Sequence, residues 1–280
     1  MAIDLPFIWA AIIAFAVLAY VILDGFDLGI GILFPFFPEK RDRDVMMNSV
    51  APVWDGNETW LVLGGGGLMA VFPLAYSVIL SALYAPIIAM VLGLVFRGVA
   101  FEYRWRTRRG EFVWNWAFAG GSMVAAFAQG VALGALVQGI PVADRAYAGA
   151  WWDWLTPFSI ATGFAILIGY ALLGSTWLVM KTTGELAEKA RRFALRTCFA
   201  TVAAMGIVSL WTPFLEPIYL ERWFKWPTAI FSFIVPVLVL GCFALLIMGI
   251  RGKRDVQPFL AGLGLFVLGF AGIGISFYPY

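Results

Sequence analysis

Leu23-Asp24-Gly25-Phe26-Asp27-Leu28-Gly29-Ile30-Gly31 sits inside an otherwise apolar run from Phe7 to Phe34, and the conflict between its two acids and their surroundings decides how the chain is read. A run of this length is enough to cross a bilayer, which needs about 20 apolar residues. A carboxylate held at membrane depth is costly, so it normally faces a protein interior or a water-filled cavity and marks a proton or ion route. Spaced three apart, Asp24 and Asp27 share one face of a helix. Gly25 and Gly29 form a small-xxx-small pair, whose ordinary role is close helix contact.

The rest of the chain repeats this apolar character. Charged residues are absent between Glu58 and Arg97, between Glu111 and Asp144, between Asp153 and Lys181, and between Lys225 and Arg251. With 62% hydrophobic residues, 13% charged and a mean hydropathy of +0.89, a water-soluble fold has nowhere to hide its apolar surface. An all-α polytopic transmembrane protein of about eight helices is expected: Phe7 to Phe34, Asp55 to Phe72, Val78 to Phe96, Phe112 to Leu136, Pro157 to Met180, Thr197 to Leu215, Pro227 to Ile250 and Pro258 to Phe277. The second and third share one uncharged stretch and are divided at Pro73, with Phe72 to Ser77 as a tight turn. The tryptophans Trp114, Trp116, Trp151, Trp152 and Trp154 flank helix ends as interface anchors. The whole chain, 1–280, reads as one transmembrane domain of two four-helix bundles, 1–137 and 152–280, the basic loops after helices three and five hinting at the division.

Lysine and arginine set the orientation. The connections after helices one, three, five and seven carry 3, 5, 5 and 3 of them, those after two, four and six carry 0, 1 and 2, so sixteen of 19 lie on one side. Short basic loops stay cytoplasmic, which places the N-terminus outside and helix two entering from the cytoplasm. Asp4 stands where a secretory signal would be basic and no small-residue cleavage site follows, so the first span is read as retained. The stop at Tyr280 directly after an apolar helix reads as a truncation or else as an unusually abrupt terminus.

Histidine is absent, and Cys198 and Cys242 are isolated in apolar stretches. Heme is usually held by His with Met, Cys or Tyr, and zinc or non-heme iron by His, Cys and carboxylates, so no metal site and no bound cofactor of the chain's own is expected, and any redox centre belongs to a partner. Gly64-Gly65-Gly66-Gly67 lacks the Lys-Ser/Thr of a phosphate loop and reads as close helix approach or local unwinding. A second acid pair, Asp55 and Glu58, lies in Pro52-Val53-Trp54-Asp55-Gly56-Asn57-Glu58-Thr59-Trp60 at the start of helix two. Asp27 falls roughly 10 to 15 Å above the inner end of helix one, at 1.5 Å per residue. If helices one and two face each other, Asp24, Asp27, Asp55 and Glu58 make a proton file from the cytoplasm. Capping by Asp55 and pairing of Glu58 with Arg97 stand beside proton transfer as readings of the second pair.

Asp24 to Gly31, Asn48-Ser-Val-Ala-Pro-Val-Trp54-Asp-Gly-Asn-Glu58-Thr-Trp60, and Phe96-Arg97-Gly-Val-Ala-Phe-Glu102-Tyr-Arg104 closely resemble subunit II of cytochrome bd ubiquinol oxidases, and the resemblance runs through to Phe277-Tyr-Pro279. Val53 and Glu58 look more like the cyanide-insensitive branch. The resemblance implies a quinol:oxygen oxidoreductase of a bacterial inner membrane, with b-type and d-type hemes, or a b-type variant, and the quinol site in subunit I. It also implies two four-helix bundles without heme ligands in subunit II, and a further helix beyond the last one seen. Asp27 and Asp55 match the family's proposed proton pathway, with Asp24 and Glu58 as neighbours in the same motifs; Gly25, Gly29, Trp54, Gly56, Asn57 and Trp60 are motif residues, and Arg97, the candidate partner of Glu58, is the expected electrostatic partner. Ubiquinol, a structural quinone or lipid, and small single-helix accessory subunits belong to that picture, and no nucleic acid does. A proton-coupled or ion-coupled secondary transporter with a glycine-broken helix, and a purely structural subunit, are the competing classes.

Overall fold

The computed structural model describes residues 4–107, 109–226 and 229–277. Eleven α-helices occur among them: α1 (Leu5–Leu33), α2 (Lys40–Val50), α3 (Trp54–Val71), α4 (Pro73–Ala82), α5 (Tyr84–Arg106), α6 (Glu111–Val137), α7 (Pro157–Lys181), α8 (Gly184–Trp211), α9 (Pro217–Phe224), α10 (Ala229–Arg251) and α11 (Gln257–Phe277). A two-residue antiparallel pair, Val142–Ala143 with Ala146–Tyr147, closes the connection between α6 and α7. The chain is thus all-helical and polytopic. Seven of the helices, α1, α5, α6, α7, α8, α10 and α11, are long and apolar enough to cross a membrane. The expected span from Asp55 to Phe72 is α3, which is 18 residues, or about 27 Å, but carries Asp55, Asn57 and Glu58 in its first turns and is not among the seven.

Local chemistry starts these helices where it should. Asp4 accepts a hydrogen bond from the Phe7 amide at 3.2 Å, with Pro6 in the first turn. Thr156 and Ser159 cap α7 reciprocally, Thr156 Oγ1 accepting from the Ser159 amide at 3.1 Å and Ser159 Oγ from the Thr156 amide at 2.9 Å; each satisfies an amide the helix leaves free.

Several expected boundaries are corrected. Pro73 opens α4 at its first position, where a missing N–H has no cost, instead of sitting in a turn from Phe72 to Ser77. The irregular residues are Phe72 (φ −125°, ψ 62°) and Leu83 (φ −108°, ψ 21°), so the third span begins at Tyr84, not Val78, and runs past Phe96 to Arg106. The helix expected from Thr197 begins at Gly184, whose φ of +68° suits glycine. Both helices continue into charged sequence because a helix leaves the bilayer without ending there. The amphipathic α2 and the short α9 have no counterpart in the hydropathy reading. Pro227, the expected start of the seventh span, and Tyr278 to Tyr280, including the end of the Phe277-Tyr-Pro279 match, lie outside the described residues.

α1 is the central element, packed against α3, α6, α7 and α11, and from Asp24 to Leu33 it is wholly buried. Its crossing with α7 occurs at Gly29 and Gly174. A Cβ on Gly29 would fall on the Tyr170 carbonyl and 2.7 Å from the Gly174 amide. No other residue type fits there, as the sequence pattern Gly25-xxx-Gly29 suggests. α5 crosses α6 in the same manner, a Cβ on Gly93 standing 2.7 Å from the Gly121 carbonyl.

Candidate functional site

α3 runs antiparallel along α1, so the condition set by the sequence, that the two acid-bearing helices face each other, is met. Gly64 and Gly67 lie against Val17 and Ile13, at 3.4 and 3.2 Å from where a Cβ would be. Trp60 packs edge-on against Phe15 with ring centroids 5.8 Å apart. The four glycines stay within an unbroken helix: two of them serve close approach, none unwinds.

Further along the same seam the acids meet one cation. Arg97 of α5 is fully buried and its Nη1 donates to Asp24 Oδ1 at 2.7 Å and to Glu58 Oε1 at 2.6 Å. Its Nη2 lies 3.7 Å from Asp27 Oδ2, which also accepts from Asn57 Nδ2 at 2.7 Å. Asn57 reaches the Leu23 carbonyl as well, at 3.4 Å. Trp54 and Phe101 stack at 4.7 Å, and the guanidinium lies 5.8 Å from each ring. A Cβ on Gly121 of α6 would stand 3.0 Å from the Arg97 amide, so the tight α5–α6 crossing fixes where the guanidinium enters. Burial is graded along the set: Asp55 is exposed, the Glu58 side chain is 23% exposed, and Asp24 and Asp27 are at 1% and 0%.

Of the expected site residues, Asp24, Asp27, Asn57, Glu58, Arg97 and Trp54 therefore converge. Asp55 lies in the first turn of α3 on the open side, outside the ion pairs, and its side chain does not cap the helix. Gly56 faces open space. Among the described residues no group of three His, Cys, Asp or Glu is placed to hold a metal ion. With no histidine in the sequence and Cys198 and Cys242 free, the donors present do not fit a heme.

A second buried arginine escaped the sequence reading. Arg104 bonds Asp44 at 2.7 Å, Asn115 at 2.7 Å and Glu111 at 3.1 Å, while Lys40 also pairs with Glu111. Its signal was visible, two turns after Arg97 on the same face of α5, but its partners are distant in sequence. Tyr20, Gln129 and Tyr170 were missed too, because uncharged polar residues do not stand out in apolar helices.

This geometry can be set beside known proteins. From residue 5 to residue 280 the sequence matches the family described as cytochrome bd terminal oxidase subunit II. The chain belongs to that family. Relatives include a "Cytochrome bd-I ubiquinol oxidase subunit 2" of Escherichia coli K12, 34% identical over 74% of this chain and 57% of its own length. A "Probable cytochrome oxidase subunit 2" of Haemophilus influenzae is 33% identical with the same coverage. The "Cytochrome bd ubiquinol oxidase subunit 2" of Bacillus subtilis is 30% identical over 97% of this chain and 80% of its own. The chain thus spans little more than half the length of the first two. A solved structure, "The structure of bd oxidase from Geobacillus thermodenitrificans", superposes with a TM-score of 0.76 over 99% of this chain and 86% of the other at 19% identity. At that identity the likeness speaks for the fold alone. The bd subunit II fold accordingly accommodates a cluster of three carboxyls on one arginine at the seam of α1, α3 and α5.

Proposed function

We propose that this chain is the heme-free second subunit of a bacterial inner-membrane quinol:oxygen oxidoreductase and that it carries protons from the cytoplasm toward an oxygen-reducing heme held by subunit I. The observation that carries the reading is the Arg97 cluster. Three carboxyls share a single guanidinium in a buried site, so full ionisation would leave two uncompensated negative charges where solvation is poor. Protons relieve that excess, which makes the cluster a place to load and unload them. Graded exposure supplies a direction, from Asp55 at the open end through Glu58 to Asp24 and Asp27.

In this reading the N-terminus is periplasmic, the basic connections are cytoplasmic, and residues 1–137 and 152–280 form two four-helix bundles. Subunit I contributes the b-type and d-type hemes and oxidises ubiquinol near the outer face. Protons drawn from the inside by oxygen reduction then conserve energy without pumping, each charge moving against about 2.3 kcal/mol per 100 mV. A structural quinone or lipid and small accessory subunits are compatible additions. A partner covering the start of α3 is supported by Asp55, Gly56 and Thr59, which are exposed there and which lipid does not favour, while Val62, Leu63 and Met69 are exposed further along the helix. The transporter alternative loses one support, since the glycine-rich α3 is continuous.

Asp27→Asn, Asp55→Asn and Glu58→Gln are expected to slow oxygen consumption by the assembled oxidase several-fold while heme content, read from the visible spectrum, stays near wild type. Wild-type turnover in all three would refute the proton path. Loss of heme would assign these residues to assembly.

A further inference from the structure

Tyr20 of α1, Gln129 of α6 and Tyr170 of α7 form a hydrogen-bonded chain outside the carboxyl cluster, and both tyrosines are buried, at 3% and 1% exposure. Tyr170 Oη donates to Gln129 Oε1 at 2.7 Å, and Gln129 Nε2 donates to Tyr20 Oη at 2.6 Å. An amide nitrogen cannot accept, so this order leaves the Tyr20 hydroxyl hydrogen to point away from Gln129. Tyr20 stands one turn before Asp24 on the same face of α1, at the i, i+4 spacing that makes helix neighbours. Asp24 Oδ1 is taken by Arg97, while the buried Oδ2 is the oxygen left open.

The supporting packing is specific. A Cβ on Gly25 would lie 2.8 Å from Tyr170 Cε1, so this glycine of the α1 motif is what lets the Tyr170 ring come down on α1. Phe266 of α11 stacks on that ring, with centroids 5.6 Å apart. Charged and titratable groups face Asp24 from α5 (Arg97), from α3 (Glu58) and from α1 itself (Asp27, Tyr20). From α6 and α7 come Gln129 and Tyr170.

We propose that Tyr170, Gln129 and Tyr20 are positioning residues for Asp24, together aiming one hydroxyl at its open oxygen. A carboxamide link orients rather than conducts, so the chain acts on Asp24 without extending the proton file. The proposal rests on the reading of Asp24 as a proton carrier and goes beyond it.

Infrared difference spectra of the assembled oxidase, recorded between two pH values, test it. The band lost in Asp24→Asn reports that carboxyl. Tyr20→Phe, Gln129→Leu and Tyr170→Phe are expected to displace this band, Tyr170→Phe doing so although it is two residues removed from Asp24, and with heme content preserved. A band present but unmoved in Tyr170→Phe and Gln129→Leu overturns the positioning chain and leaves the proton path standing. If Gln129→Leu fails to assemble, Tyr170→Phe, which deletes a single hydroxyl, decides alone. No band lost in Asp24→Asn, together with wild-type turnover, refutes the proton role of Asp24 and the positioning chain with it.

Discussion

Replacing Arg97 by methionine keeps its volume but leaves Asp24, Asp27 and Glu58 facing one another without a cation. Removing one partner of a buried ion pair costs about 3–5 kcal/mol because the other charge stays desolvated. Arg97→Met is therefore expected to lower the thermal stability of the purified complex by an amount in that range. Adding Asp24→Asn to Arg97→Met removes the carboxyl bonded at 2.7 Å and is expected to restore part of the loss, giving a coupling energy in a double-mutant cycle. A double variant no more stable than the single would show that Asp24 is not the principal partner. The acids and Arg97 were legible in the sequence because a charge in an apolar run has no neutral explanation. The grip of one guanidinium on three carboxyls was not, since Asp24 and Arg97 are 73 residues apart and nothing local encodes their meeting.

Helices meet here through glycine, and the cost of filling such a contact depends on what stands opposite. At Gly29 a methyl would collide with the backbone of α7, which cannot rotate aside as a side chain can. Gly29→Ala is expected to cost about 1–3 kcal/mol by overpacking and to disturb the seam beside Asp27. Gly206 of α8 has nothing within 4 Å, so Gly206→Ala is expected to be neutral or to stabilise by up to about 1 kcal/mol through helix propensity. Thermal unfolding of the two variants checks the contrast, and equal effects would argue against the close α1–α7 crossing. The same physics explains which elements the sequence reveals. Long spans announce themselves by hydropathy. α2 does not, because only Met46, Met47 and Val50 are buried along it and the run Glu39-Lys-Arg-Asp-Arg-Asp44 reads as a loop. Pro73 misled because proline starts a helix as readily as it ends one.

At the scale of the whole molecule, charge ties one end together. Lys189 of α8 meets Glu39 and Asp42 at the start of α2, each at 3.2 Å. Arg191 meets Asp255 between α10 and α11 at 2.5 Å, and Lys40 meets Glu111 at the start of α6. All four basic connections thus gather at one face. These contacts differ in weight: the Arg104 side chain is 1% exposed and that of Lys189 25%. Arg104→Met is expected to destabilise by about 3–5 kcal/mol, whereas Lys189→Ala is expected to cost far less, and less still in high salt. The opposite end carries the connection from Gln138 to Thr156, where Ala148 is exposed. The positive-inside rule predicts that the basic end faces the cytoplasm, and the proposed file opening at Asp55 draws protons from the inside only if it does. With Cys198 and Cys242 replaced, a membrane-impermeant maleimide applied to intact cells is expected to label Ala148→Cys, and to label Lys253→Cys only after permeabilisation. The reverse pattern would leave the Arg97 cluster as it is but turn its open end outward, and uptake from the cytoplasm would then have to be abandoned.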